Sequence, residues 1–148
     1  MKIEIFDFQD KNSLFGKMSA VHDARVREIR TEGNVLYLVC DKIEGLDNAD
    51  GTLKYPDFKE VEIEYEGVRP ASIWLSDKRC EHEVTTEQLF TYLKKKQSGM
   101  TMLGWSIESS GRLDLDILLE HDWAHPLKIF VNPTKITYRW KSISSPTT

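Results

Sequence analysis

Apolar residues occupy every second position along three stretches of this chain, and charged or polar residues fill the positions between them. The stretches carry Val61, Ile63 and Tyr65; Leu113, Leu115, Ile117 and Leu119; and Ile136, Tyr138 and Trp140. A period of two places alternate side chains on opposite faces of a pleated strand. Each stretch is therefore predicted to be a strand with one buried face and one face in water.

Other segments extend this pattern into a sheet. Residues 24–31 and 34–41 are predicted to form a hairpin, because Gly33-Asn34 tolerates the positive φ of a tight turn. Val26 and Ile29 are three positions apart, out of phase for a plain strand, which predicts a β-bulge. Strands are also predicted at 2–8, 59–66, 70–76, 100–108, 112–120, 127–132 and 135–141.

One helix is predicted at about 86–98. Thr85 and Gln88 have the spacing of a capping box at its start. Basic residues at 94–96 suit the negative end of the helix dipole, and Gly99 suits the position after the helix. The apolar stripe expected to pack on the sheet consists of Leu89, Phe90 and Leu93.

These elements predict a single domain over residues 1–148 of the α+β class. The expected architecture is a mostly antiparallel, strongly curved sheet, or two packed sheets, with about eight or nine strands and the one helix. Loops are expected at 9–19, at 42–58, where glycine, aspartate and proline are frequent, and in the Cys80–His82 segment before the helix. The tail from Ser142 is expected to be frayed.

Charge and cysteine content narrow the function classes. The formal net charge of −4 argues against nucleic acid, which requires a basic surface. No apolar run is long enough to span a membrane, and the acidic start after Met1-Lys2 does not fit a signal peptide. Cys40 and Cys80 are too few for a disulfide scaffold, so both are expected to be free thiols and the protein cytoplasmic.

Metal ions and cofactors are not expected. Cys80, His82, His121 and His125 could supply the four ligands of a zinc site. The second pair, however, lacks the glutamate of the metalloprotease helix motif and lies in a predicted loop. We therefore predict that the two segments lie apart and bind no metal.

Two further sets of residues are candidates for function. An enzyme would use a cleft lined by His22, Asp23, His121 and Asp122, in which a carboxylate orients an imidazole. A binding surface would use Trp123, expected to be exposed, and an acidic row on one strand. That row either faces basic residues in the same sheet or docks a basic protein; it consists of Glu60, Glu62, Glu64 and Glu66.

The segment from His22-Asp23 through the hairpin, together with residues 127–138, resembles the opening and closing strands of small bacterial β-rich proteins of unknown function. Some of those families are described as immunity proteins of toxin systems. The resemblance covers about 35 residues, and it implies a bacterial protein with no catalytic residue to carry over.

The sequence thus predicts a non-enzymatic protein-binding module, an immunity or accessory protein. The alternatives are a ligand-binding or hydrolytic enzyme with the His/Asp cleft, and a homodimer that associates through a sheet edge. An enzyme should bring ionisable groups together in a deep pocket, whereas a binding module should present a strand edge or a flat patch.

Overall fold

The computed structural model describes residues 2–7, 21–43, 59–77 and 80–141. Predictions that concern residues 9–19, 44–58 and the tail from Ser142 lie outside these ranges. In chain order the elements are β1 (Lys2–Asp7), β2 (Arg25–Glu32), β3 (Val35–Asp41), β4 (Glu60–Gly67), β5 (Ser72–Asp77), β6 (Cys80–Val84), α1 (Thr86–Lys96), β7 (Met100–Ile107), β8 (Leu113–Leu119), β9 (Asp122–Val131) and β10 (Pro133–Lys141).

The strands form one sheet of ten strands in the order β1-β10-β4-β3-β2-β7-β8-β9-β5-β6. Every neighbouring pair is antiparallel. The predicted α+β class is confirmed, and of the two architectures the single sheet is found. The tenth strand is β6, which was expected to be a loop. Its residues are mostly polar and show no apolar alternation, so the sequence did not predict a strand. Its pairing with β5 defines it.

The inner face of the sheet carries the core. Alternate residues of β4 and β8 are buried, as the period of two predicts. In β10 the alternating residues Ile136, Tyr138 and Trp140 are buried, and Thr137 between them is buried too. Ile63 of β4 and Ile117 of β8 are both fully buried and belong to one continuous apolar cluster, although four steps separate their strands in the sheet order. The sheet therefore curves so that its two halves pack against each other, with the charged faces outside.

The β2–β3 hairpin forms as predicted. Gly33 adopts a φ of +58°, the left-handed conformation that this turn requires. The pairing register shifts between Val26 and Glu28, which leaves Arg27 as the extra residue of a β-bulge. The bulge returns Ile29 to the inner side, opposite Leu38.

Helix α1 begins at the predicted capping box, in which Thr85 and Gln88 exchange side-chain and backbone hydrogen bonds. Leu89 and Leu93 are buried, as predicted. The helix ends at Lys96, and the left-handed residue that follows is Gln97 rather than Gly99. The prediction for Phe90 was wrong: its side chain is 70% exposed.

The geometry of a helix explains the exposure of Phe90. Leu89 and Leu93 are four residues apart and share one face, whereas neighbouring residues are rotated by about 100°. Because Leu89 faces the core, Phe90 faces sideways, toward β2.

Among the described residues no helix is long and apolar enough to cross a membrane.

Both cysteines are free thiols, as predicted, but their surroundings differ. Cys40 is buried in β3, and burial raises the pKa of its thiol to about 12. Cys80 is exposed on the edge strand β6. The two thiols are therefore expected to differ in reactivity, because the thiolate is the reactive form.

Candidate binding groove

The sheet is interrupted beside β2. Strand β7 meets β2 only where β2 begins: Arg25 pairs with Thr101, and the backbone N–H of Met102 donates to the Ala24 carbonyl at 2.8 Å. Along residues 27–32, β2 pairs with β3 on one side and with no described strand on the other. In an antiparallel ladder alternate residues direct their N–H and C=O groups away from the partner strand. Within the described part of the chain, the backbone groups on the free side of β2 therefore have no partner strand.

The interruption arises where the chain passes from α1 into β7. Gln97 takes a left-handed conformation that turns the chain out of the helix, and β7 begins at Met100. Gly99 lies against the carboxylate of Glu120, where a Cβ atom would come within 2.6 Å of an oxygen. Glycine therefore permits this close approach. The backbone N–H of Glu120 also donates to the Gly99 carbonyl at 3.1 Å. Helix α1 lies beside β2, which it contacts, and beside β6.

A groove lies between the free side of β2 and helix α1. It consists of two adjoining cavities of about 690 and 620 Å³. Both are lined by Arg27, Glu28, Ile29, Thr86 and Phe90. The first cavity also reaches buried apolar residues of β2, α1 and β7: Val26, Leu89, Leu93 and Met100. The exposed ring of Phe90 thus lines a groove with an apolar floor, next to a strand edge that no described strand covers.

Charged side chains are distributed unevenly along the groove. The first cavity is lined by Arg25, Arg27 and Lys94 and by one acidic residue, Glu28. We call Arg25, Arg27 and Lys94 the basic end. The second cavity adds Arg30, Glu60 and Glu87, which leaves its charges nearly balanced.

Ion pairs hold the arginines of the basic end in place. Arg25 binds Asp41 through two hydrogen bonds, with Nε to Oδ1 at 2.7 Å and Nη2 to Oδ2 at 2.5 Å. The hydrogen bond from Arg25 holds the pKa of the Asp41 carboxyl below its usual value, against the opposing effect of burial. Arg27 lies 3.6 Å from the same carboxylate and 3.2 Å from Glu60. The guanidinium groups are therefore preorganised on strand β2.

The acidic row of β4 faces basic residues of its own sheet. Counter-charges in the same sheet were one of the two predicted arrangements, and they are found. Nitrogen–oxygen distances of 3.0 Å join Glu64 to Arg139 and Glu66 to Lys135. The distances for the other two members are 3.2 Å for Glu60 to Arg27 and 3.6 Å for Glu62 to Lys141. Docking of a basic protein on this row stays a prediction.

The structure places the residues of the predicted His/Asp cleft in separate local pairs. His22 Nδ1 lies 3.2 Å from the Asp23 carboxylate in the turn before β2. His121, in the turn after β8, shares a 2.9 Å hydrogen bond between its Nε2 and the Tyr92 hydroxyl. Asp122 binds Nδ1 of His125 at 3.0 Å. Among the described residues no hydrogen bond or ion pair connects the first pair to His121 or Asp122.

The four zinc candidates occupy two parts of the sheet. Cys80 and His82 lie on β6, whereas His121 and His125 lie at and after the β8–β9 turn. Nδ1 of His82 is buried without a hydrogen-bond partner in the described part of the chain. Within residues 2–7, 21–43, 59–77 and 80–141, no group of three or more His, Cys, Asp or Glu side chains is arranged to hold a metal ion.

Trp123 is 73% exposed, as predicted, but it lies in β9 rather than in a loop. The β8–β9 register shifts between Ile117, opposite Leu127, and Leu119, opposite Asp122. The residues between Asp122 and Leu127 therefore bulge away from β8. Trp123 does not line the groove, so it offers a second, separate aromatic surface.

The groove has little signature in the sequence. Phe90 was predicted to lie in the core because it extends the apolar stripe, and Arg25 and Arg27 belong to no motif. One signal was present: Leu89 and Leu93 already form the apolar stripe with which an 11-residue helix packs on a sheet, so Phe90 is not needed for that contact. Comparisons with family models, curated proteins and solved structures each found no significant match.

Proposed function

We propose that the protein is a non-enzymatic protein-binding module that holds an extended segment of a partner in the groove between β2 and α1. One observation carries the proposal: no described strand pairs with the outer backbone edge of β2 along residues 27–32, and an exposed phenylalanine lies beside that edge. The backbone edge supplies hydrogen bonds that do not depend on the partner's sequence. Phe90 supplies an apolar contact that selects particular side chains.

The free edge of β2 favours a strand as the occupant. An open edge is a template for pairing with another extended chain, and folded proteins usually cover it or guard it with charge. Here the edge is flanked by a groove wide enough for side chains. A segment that continues the line of β7 would complete the sheet, while its alternate side chains would reach Phe90 and Ile29.

The exposed ring of Phe90 favours a protein as the partner. A large aromatic ring in contact with water is uncommon on a monomer, and aromatic residues supply much of the binding energy at interfaces. The His/Asp pairs each have a local partner, which weakens the case for the enzyme. The resemblance to immunity proteins agrees with a protein partner, and a toxin is the partner that it implies.

A homodimer through a sheet edge is the second candidate, and β1 is the observation in its favour. This outermost strand carries Ile3 and Ile5, which are 50% and 62% exposed. Light scattering across a concentration series would detect the dimer. Ile5→Lys should abolish it, because a charge would then face the partner strand; a mass that stays monomeric at the highest concentration removes this candidate.

Selection of peptides tests the groove even though the natural partner is unidentified. A displayed library of random linear peptides of about twelve residues would span the free edge of β2 with residues to spare. Peptides selected on the full chain should bind Phe90→Ala at least about tenfold more weakly, the loss typical of a truncated interface aromatic. Trp123→Ala is the matched control, since it removes an equally exposed aromatic outside the groove and should leave binding unchanged.

Hydrogen exchange locates the bound segment independently. Amide protection on peptide binding should increase in residues 27–32 of β2, because a paired strand shields its backbone N–H groups. The proposed function is wrong if the selected peptides respond to Trp123→Ala and not to Phe90→Ala, or if β2 gains no protection.

A further inference from the structure

We infer that the groove selects an acidic segment: an extended chain that places an apolar side chain against Phe90 and a carboxylate at the basic end. The inference rests on the proposed function, and it names the chemical class of the partner segment. It depends on the unequal charge of the two cavities and on the donors that the arginines keep free for a ligand.

The lining of the first cavity differs in charge from the protein as a whole. The protein carries a formal net charge of −4, yet the first cavity is lined by three basic residues and one acidic residue, while Asp41 and Glu60, which bind the two arginines, lie outside its lining. Attraction for a carboxylate is therefore local to this end. A basic segment would be repelled by these side chains. Such repulsion lowers the affinity for a wrong partner without lowering the affinity for the correct one.

The two arginines can bind a further carboxylate. A guanidinium has five N–H donors, and Arg25 uses Nε and Nη2 for Asp41. Its side chain remains 45% exposed, and that of Arg27 52%. Asp41 thus fixes the plane of the Arg25 guanidinium and leaves the other N–H donors of the group outside these two hydrogen bonds. Lys94, exposed on the last turn of α1, contributes a third cation.

Strand geometry fixes where the carboxylate belongs in the segment. Every neighbouring pair in the sheet is antiparallel, so a segment that continues the line of β7 runs antiparallel to β2. Arg25 begins β2, and such a segment therefore approaches the basic end with its C-terminal part. The acidic residue should therefore follow the apolar residue in the segment.

The test uses the random-peptide library selected on the full chain. Peptides that depend on Phe90 should be enriched in Asp and Glu on the C-terminal side of an aromatic or branched apolar residue. A synthetic peptide with lysine in place of that acidic residue should bind about tenfold or more weakly, since it replaces attraction by repulsion. The peptide with the reversed sequence should also bind more weakly.

A matched pair of variants assigns the effect to the basic end. Lys94→Glu and Lys95→Glu change the net charge equally and lie next to each other on exposed helix positions, but only Lys94 lines the groove. Lys94→Glu should weaken the acidic peptide by about three- to tenfold, and Lys95→Glu by less than about twofold, the sizes expected for a close and a screened exposed charge. Arg25 is less suitable because its replacement would also leave Asp41 without its closest ion pair.

The outcomes separate the two proposals. Phe90-dependent peptides that are neutral or basic would overturn the acidic class and leave the binding groove standing. Equal effects of Lys94→Glu and Lys95→Glu would also overturn it, since the preference would then reflect overall charge. If no selected peptide depends on Phe90, the groove itself is wrong and the acidic class falls with it.

Discussion

The outer face of β4 and the groove beside β2 both present charged side chains to water, but they differ in what those charges have to bind. On β4 each glutamate lies within 3.6 Å of a lysine or arginine of the same sheet. In the groove, Lys94 has no ion pair among the described residues, and Arg25, whose side chain is 45% exposed, has N–H donors beyond the two that bind Asp41.

The difference follows from strand pairing. Where strands pair fully, cross-strand neighbours fall about 4.5–5.5 Å apart and opposite charges find each other. Where β7 stops, β2 has no described strand on that side to supply cross-strand contacts or backbone hydrogen bonds. The regular charge pattern of β4 therefore stabilises the sheet, whereas the binding site arises at the interruption.

The largest expected effect separates the core side of α1 from its groove side. Leu89→Ala should lower the free energy of unfolding by about 2–5 kcal/mol, because the side chain is buried in the core. Phe90→Ala should change it by less than about 0.5 kcal/mol, as at other exposed sites. Urea unfolding of both variants measures this. Similar losses for the two would mean that Phe90 is part of the core and that the groove is not a free surface.

A smaller effect should come from Asp41, which anchors the basic end. Its pKa is lowered in the folded protein, first by the hydrogen bond from Arg25, so the folded state is favoured when the carboxyl is ionised. The unfolded chain binds the proton more readily, and stability contributed by Asp41 is lost as pH falls from the usual value of about 3.9 through the lowered pKa. Asp41→Asn should cost about 1 kcal/mol near neutral pH, a charged hydrogen bond reduced by the exposure of Arg25.

The pH dependence is the check on this assignment. The stability difference between wild type and Asp41→Asn should be constant above about pH 5 and should shrink toward zero below about pH 4. Glu28→Gln is the control, because Glu28 also lines the groove but is exposed and pairs with the exposed Arg30. A difference that persists unchanged into acid would mean that Asp41 acts through shape rather than charge.

The smallest effect concerns the paired row of β4. A double-mutant cycle on Glu64 and Arg139, joined at 3.0 Å, should give a coupling of at most about 1 kcal/mol that decreases in molar salt. The more exposed pair of Glu66 and Lys135 should give less. A coupling energy well above this value would mean that the acidic row is a major stabilising network. A coupling energy of zero would mean that its glutamates remain available to dock a basic protein.

Sequence alone predicted what depends on near neighbours. Alternation identified β4, β8 and β10, since a period of two requires only that one face be buried. The Gly33-Asn34 turn, the bulge at Arg27 and the Thr85–Gln88 capping box were also predicted correctly, because each is decided within a few residues. The counter-charges of the acidic row were one of two alternatives that the pattern allowed.

Tertiary structure decided the rest, because it depends on which strands become neighbours. β6 lacks an apolar alternation and is a strand only through its pairing with β5. The start of β9 lacks one too, and it pairs with β8 only at Asp122 before the bulge. The sequence pattern places both Leu89 and Phe90 on the apolar stripe. Only the position of α1 beside β2 and β6 decides that Leu89 is buried and Phe90 is exposed. The free edge of β2 has no sequence signature, since it reflects where another strand, β7, comes to an end.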